Sequence, residues 1–472
     1  MSGSASPSGG TPFQVSGVIP SLTVKADQAP IRTEVGIGAL MPWAGRLWMV
    51  TYLSNRIESG GGTGLYEIDE NFNMRKRPES VAGCFANRMV HGPTHQIIIG
   101  PHVIDTEGNV RTIEELKHWR LTATMEHLED PENKFYSVAM DGKFWEVDAH
   151  TLESTLLFDL TKELSIGLVD GVSAKGVMPH FKGAYTSSGR VVVTNNTYGE
   201  LDFLGRAANG RLAEWDGSEW RILERTGFNE VAGHKMGSHP VFATGWDKAS
   251  AILEVFVNGT WTKYRLPKGS FNYDKDWQTE WPRVREVEHE RLLMDCHGLF
   301  YELSPYTYAD KVWGVIPICK HLRVVPDFCS WQGMLVLGGD HASPRRDQYI
   351  LAGEPQSGLW FGKTDDLWQF GKPQGWGGPW YEAPVSAGEP SDPYLMTGFD
   401  HKVLHLIHDA DHEVTFTIEI DFLGTQAWGT YETISVPAGG YRHHEFPAGF
   451  SAHWVRATSS APCNATAQLT YT

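Results

Sequence analysis

The chain reads as an all-β protein, a seven-bladed β-propeller followed by a small C-terminal β-sandwich. Three observations predict this. A strand motif recurs as Gly64-Leu-Tyr-Glu-Ile68, Lys143-Phe-Trp-Glu-Val-Asp148, Arg211-Leu-Ala-Glu-Trp-Asp216, Leu299-Phe-Tyr-Glu-Leu303 and Leu359-Trp-Phe-Gly362. The units that carry it return at roughly 35–60 residues, the period of a four-stranded blade. Helical periodicity is nearly absent, with only Ile113 to His118 reading as a short helix.

The units follow in order. The first pairs Ala39–Trp43 with Arg46–Tyr52, and the second runs from Arg88 to Asp105. The third starts at Thr122 and the fourth at Met178; the fifth starts at His239. The sixth is Arg285 to Leu303, and the seventh runs from His321 through Met334–Leu337 to Leu359–Phe361 and Leu367–Trp368. Beyond a Gly/Pro/Trp-rich stretch, alternating segments such as Val403–Ile407 and Val414–Ile420 predict the sandwich. The expected division is therefore a lead-in over 1–34, the propeller over 35–380 and the sandwich over 381–472.

Composition narrows the function. The 472 residues hold 12% aromatics with 18 Trp and a formal charge of −17. That is enough apolar material for a core, and the charge argues against a phosphate-reading surface for nucleic acid. No window has the apolar length of a membrane span. The five cysteines lack CxxC spacing. Met1 to Gly10 has no hydrophobic signal core; an extracellular or periplasmic setting and a monomer are expected.

Chemistry is expected on the axis, where the starts of innermost strands converge. Arg88 and His91, Glu126 and His127, His180 and Lys182, His239, Glu288 and His289, then Asp327 fall near those positions. Such a ring can hold a divalent cation, bind a uronate carboxylate or transfer protons, and sequence spacing leaves these alternatives open. It can equally line a wet channel. The carboxylates Glu126, Glu288 and Asp327 read as partners that orient the ring. The Trp246-Asp247 pair and the loop with Trp376 and Trp380 offer stacking for sugars.

At Asn87-Arg-Met-Val-His-Gly-Pro-Thr-His95, Ala123-Thr-Met-Glu-His127, His180-Phe-Lys182, Ala243-Thr-Gly-Trp-Asp247, Glu286-Val-Glu-His289 and Pro326-Asp-Phe-Cys-Ser-Trp331 the chain resembles a known group. It is similar to the seven-bladed propeller enzymes that act on rhamnose-capped glucuronate of arabinogalactan and gum arabic. These comprise L-rhamnose-α-1,4-D-glucuronate lyases (polysaccharide lyase family 42) and α-L-rhamnosidases (glycoside hydrolase family 145). The hydrolase uses a His in its first blade, whereas this chain has none before His91, so the resemblance points to the lyase. It implies β-elimination of an acidic rhamnose-capped oligosaccharide or arabinogalactan side chain. By residue type and position it implies His91, His127 and His180 for proton transfer. Arg88, His95, Lys182, Tyr185, Tyr198, His239, Asp247 and His289 would bind substrate. A hydrolase on the same linkage and a non-catalytic glycan-binding propeller are the alternatives.

Overall fold

The computed structural model describes residues 17–25, 34–53, 63–166, 168–169, 172–173, 179–197, 210–234, 239–269, 281–288, 291–308, 311–312, 314–321, 323–342 and 356–472. Within them, the chain builds seven antiparallel units in succession, each with four strands, and in the first Asp340–Ala342 adds a fifth beside Glu34–Gly36. Their innermost strands are Glu34–Trp43, Arg88–His91, Leu121–Glu126, Phe181–Ser187, Gly227–Gly233, Arg283–Glu288 and Phe328–Trp331, of blades I to VII. Each touches the next, and the last touches the first, so the ring closes around an axis.

The recurring strand motif is the third strand of each blade, and its polar residues explain the repeat. Glu67 is buried and takes Arg46 at 3.2 Å and Arg77 at 3.3 Å, together with Arg75. Glu146 pairs with His127 and Lys134, each at 2.8 Å. Glu214 takes Arg190 and the Trp261 indole N–H, both at 3.0 Å. Each glutamate thus ties strands of its own blade or the next one. An aspartate then turns the chain: Asp148 accepts the N–H groups of His150 at 2.8 Å and Thr151 at 2.7 Å, and Asp216 accepts those of Ser218 at 2.8 Å and Glu219 at 2.9 Å.

Several boundaries differ from the sequence reading. Gly17–Lys25 lies inside the expected lead-in but pairs with Gln356–Gly362 as the outermost strand of blade VII. The N-terminal part of the chain therefore closes the ring, with more than 300 residues between the partners. Thr364–Gln369 is a 3-10 turn rather than a strand, and Ile113 to His118 forms turns rather than a helix. Blade V begins at Gly227, so His239 falls in the turn after its innermost strand. Gly375–Val385 belongs to the sandwich, whose strands bury Trp380, Phe416, Leu469 and Tyr471 between them.

The sandwich is joined to blade V by hydrogen bonds. Thr260–Leu266 pairs in parallel with Tyr394–Leu395, which makes one eight-stranded sheet of blade and sandwich strands. Arg265 locks the junction, bonding Asp392 at 2.9 Å and both oxygens of Asp247 at 3.0 and 2.9 Å. Trp454 of the sandwich packs on Tyr264 of the blade, with ring centroids 4.8 Å apart.

Close approach between blades I and II depends on Gly38. A Cβ added there would stand 1.9 Å from the Phe85 carbonyl oxygen. Gly38→Ala should therefore lower the denaturation midpoint, by about 1–3 kcal/mol in stability; an unchanged midpoint would show that the two blades can part without cost.

Candidate functional site on the propeller axis

The innermost strands do not run regularly past the axis. Registers slip between Ile37 and Ala39, Leu121 and Ala123, Phe181 and Gly183, and Phe228 and Glu230. One extra residue stands at each slip, namely Gly38, Thr122, Lys182 and Asn229. Bulges of this kind re-aim a side chain locally. At blade IV the extra residue is Lys182, which is buried and holds its ammonium 4.7 Å from the centroid of the Trp281 ring.

Charged groups from four blades meet at the centre, joined by a backbone N–H of a fifth. Asp327, fully buried just before the innermost strand of blade VII, accepts the Leu40 N–H of blade I at 2.7 Å. It also takes Arg88 Nε of blade II at 3.1 Å and Arg285 Nε of blade VI at 2.8 Å. Arg285 Nη1 reaches Glu230 of blade V at 2.6 Å, and Arg283 Nη1 binds the other Glu230 oxygen at 3.0 Å. The result is a continuous chain, Arg88–Asp327–Arg285–Glu230–Arg283.

Burial alone would raise the Asp327 carboxyl. The guanidiniums of Arg88, Arg285 and Arg283 and the Leu40 N–H outweigh it and hold the group below the usual carboxylate range. Burial pulls Arg88 and Arg283 down, whereas for Arg285 the charges of Asp327 and Glu230 overcome burial and push it up. Among the described residues the bonds of Arg283 and Arg285 use Nε and Nη1, and both guanidiniums line the cavity beside them.

That cavity runs along the axis with a volume of about 540 Å³. Arg88, Lys182, Arg283 and Arg285 line one part, while Tyr185, Glu126 and Glu286 lie toward the far ends of their strands. Burial, with the Glu126 charge adding to it, pushes the Tyr185 hydroxyl up to about 12, so it stays protonated and donates. At the end where the strands begin, Tyr52 and Trp281 pack with centroids 4.6 Å apart. His180 stands half-buried there, two residues before Lys182. Beside it the Asn196 side chain is buried with no hydrogen-bond partner at either Oδ1 or Nδ2, as are Asn195 Nδ2 and Trp281 Nε1. Buried polar groups in this condition call for water or a ligand.

The expected residues separate into two sets. Arg88, Lys182, Tyr185 and Glu126 line the axial cavity and Asp327 binds Arg88 beside it, while His180 precedes the strand that carries Lys182 and is not itself part of the lining. His91 and His127 do not join them. His91 ends its strand, where Nε2 donates to the Pro131 carbonyl at 3.0 Å and Nδ1 meets Thr94 Oγ1 at 2.6 Å. His127 follows its strand, stacks on Tyr136 at 4.3 Å, donates to Glu146 and accepts the N–H groups of Glu129 and Asp130. At ~3.3 Å per residue, three or more residues carry a side chain well past the cations. His91 thus ties blade II to blade III, and His127 is held within blade III. His95 and His239 are exposed in the turns after innermost strands, at φ 51° in each case. Asp247 is held in the sandwich junction, and Glu288 accepts Thr364 Oγ1 at 2.8 Å on the outside. Tyr198 and His289 lie outside the described residues. Trp380 is sandwich core, and Trp376 carries the Lys268 ammonium 5.3 Å from its ring centroid.

Sequence reasoning passed over Arg283, Glu230 and Trp281, and did not single out Arg285. The signal was available as Arg283-Val-Arg285, two cations at a spacing that puts both on one face of a strand. Among the described residues no group of three or more His, Cys, Asp or Glu is placed to hold a metal ion, and the guanidiniums make the axis a place for an anion.

No family model matches the chain, and no curated protein matches it in sequence. Among solved structures it is similar to the Cps50 (Swd1) β-propeller domain of Myceliophteria thermophila, at 9% identity and a TM-score of 0.40. That match covers 69% of this chain and 96% of the other. It is similar to U3-55K at 7% identity and a TM-score of 0.40, covering 73% and 99%. A luciferin-regenerating enzyme matches at 9% identity and a TM-score of 0.36, covering 74% and 95%.

Replacing Asp327 by Asn would leave Arg88 and Arg285 buried around a neutral amide. The loss should be about 3–5 kcal/mol in denaturant unfolding at pH 7. Because the folded carboxyl is depressed, its contribution is complete above the ordinary value of about 4 and fades as pH falls below it. The gap between wild type and Asp327→Asn should therefore narrow as pH is lowered below about 4. A constant gap would contradict the assignment.

Proposed function

We propose that the axial cavity binds a uronate-containing saccharide and cleaves it by β-elimination, releasing the sugar attached at C4 of the uronate. The observation that carries this reading is the gathering of Arg88, Lys182, Arg283 and Arg285 on one cavity in a chain of formal charge −17. Among the described residues the buried carboxylates Glu230 and Asp327 each bridge guanidiniums, and the cationic lining suits a carboxylate ligand. The fit with rhamnose-capped glucuronate comes from the sequence resemblance.

In the proposed reaction the uronate carboxylate docks on Arg283, Arg285 and Lys182. These donors are fixed before substrate arrives, so they stabilise the negative charge that builds on the carboxylate when C5 loses its proton. His180, two residues before Lys182 in the chain, takes that proton. The C5–H electrons form the C4=C5 bond, the C4–O bond breaks, and His180 returns the proton to the leaving oxygen. Tyr185, protonated throughout, closes the deep end as a hydrogen-bond donor.

His180→Ala should lower kcat by about 10²- to 10⁴-fold, and Lys182→Ala should raise KM as well. His91→Ala and His127→Ala, away from the cavity, should keep most of their activity once folded. The deciding experiment is incubation with gum arabic while ultraviolet absorbance and released sugar are followed together. Rhamnose with rising absorbance marks the unsaturated uronate and supports elimination. Rhamnose without absorbance would mean hydrolysis, and neither signal would overturn the reading.

A further inference from the structure

Far from the axis, the sandwich sheet ordered Gly375–Val385, Cys463–Tyr471, Lys402–His408, Tyr441–Glu445 carries a flat aromatic surface. His405 stands opposite His443, and Ile407 opposite Tyr441. Leu404 and Leu406 point into the core, so these four share the outward face. Tyr441 is 50% exposed and Ile407 45%.

The ring geometry is specific. His405 Nδ1 lies 2.9 Å from Tyr441 Oη. A hydrogen bond to a ring nitrogen lies near the plane of the imidazole, and Oη lies in the plane of its own phenol ring. The two planes differ by only 17°, with centroids 6.1 Å apart. The rings are therefore edge to edge in nearly one plane, not face on face. His443 extends the plate, 23° from the Tyr441 plane with centroids 6.0 Å apart. Burial and the neighbouring His443 hold His405 below the usual histidine range, which favours its neutral form.

A separate observation places the plate relative to the axis. His405 pairs across strands with Gln468 and so shares its face of the sheet. Gln468 Nε2 donates to the Ala249 carbonyl at 3.1 Å, Gly378 N–H donates to the same oxygen at 3.1 Å, and Lys268 N–H donates to Trp376 O at 2.8 Å. Ala249 is in the turn between the second and third strands of blade V, and Lys268 follows its fourth. Both lie on the side where innermost strands begin, the side of His180 and Trp281. The plate thus runs outward from the mouth side of the ring.

We propose that this plate is a second carbohydrate site, which stacks on the pyranose rings of a polysaccharide whose end is presented to the axial mouth. The C–H face of a pyranose is flat and meets the negative face of an aromatic plate. Its hydroxyls, at the ring edge, reach Thr470, Gln468 and His443. A lipid or an apolar protein face calls for a broader greasy patch, whereas among the described residues of Lys402–His408 only Val403 and Ile407 add aliphatic chains to the face. The stacking stands on its own geometry; only the delivery of a chain end to the axis rests on the proposed function.

The test is affinity electrophoresis of the full chain through gels containing gum arabic. The wild type should be retarded. The double variant Tyr441→Ala/His443→Ala, both exposed, should lose about tenfold in apparent affinity with an unchanged melting temperature. Tyr441→Phe, which keeps the ring but frees His405, should lose less. Lys182→Ala, at the axis, should stay retarded. Retardation reads the plate even if no turnover is found, so failure of the elimination reading is seen separately. An unretarded wild type, or a double variant retarded as strongly as wild type, would overturn the proposal. So would a change of sedimentation in the double variant without loss of retardation, since the plate would then serve a second copy of the chain.

Discussion

The buried chain Arg88–Asp327–Arg285–Glu230–Arg283 is the interaction on which the rest depends. Its members come from blades II, VII, VI and V, and the Leu40 N–H adds blade I. None of its links can form until the blades stand in their final order around the axis. Taking five charges out of water is costly, and only near-complete pairing offsets it. The ring must therefore close fully, and the pairing of Gly17–Lys25 with Gln356–Gly362 closes it from the outside.

The same arrangement would let a protein of formal charge −17 host an anion on its axis, as proposed. Inside the ring the low-dielectric walls concentrate the field of four cations on one cavity. Glu126 and Glu286 lie toward the other end of it, so the cavity is polarised along the axis. A bound uronate would be oriented by that polarity before any catalytic group touches it.

The architecture was legible because several blades solve the same local problem. The third strands of blades I, III and IV each hold a glutamate for the cations beside it, and those of III and IV end on an aspartate for the turn, so Glu67, Glu146 and Glu214 repeat visibly. The histidine ring was misleading for a related reason. Proximity of a histidine to an innermost strand does not tell the start of the strand from its end, and His91 and His127 stand at the end. Bulges at Thr122, Lys182 and Asn229 shift facing by one residue, which alternation alone cannot foresee. Lys182 was found because it is charged; Arg283 and Arg285 were visible as a pair at strand spacing. The strand at Gly17–Lys25 could not be placed, since nothing local marks a partner so far along the chain.

The most direct test of the account is a calorimetric titration of the wild type and of Lys182→Ala with D-glucuronate and with D-glucose. If the axis is a carboxylate site, the wild type binds the uronate and not the neutral sugar. Salt weakens that binding, and the Lys182 variant loses it. Equal binding of the two sugars, or uronate binding that ignores Lys182, would contradict the assignment of the cationic cavity.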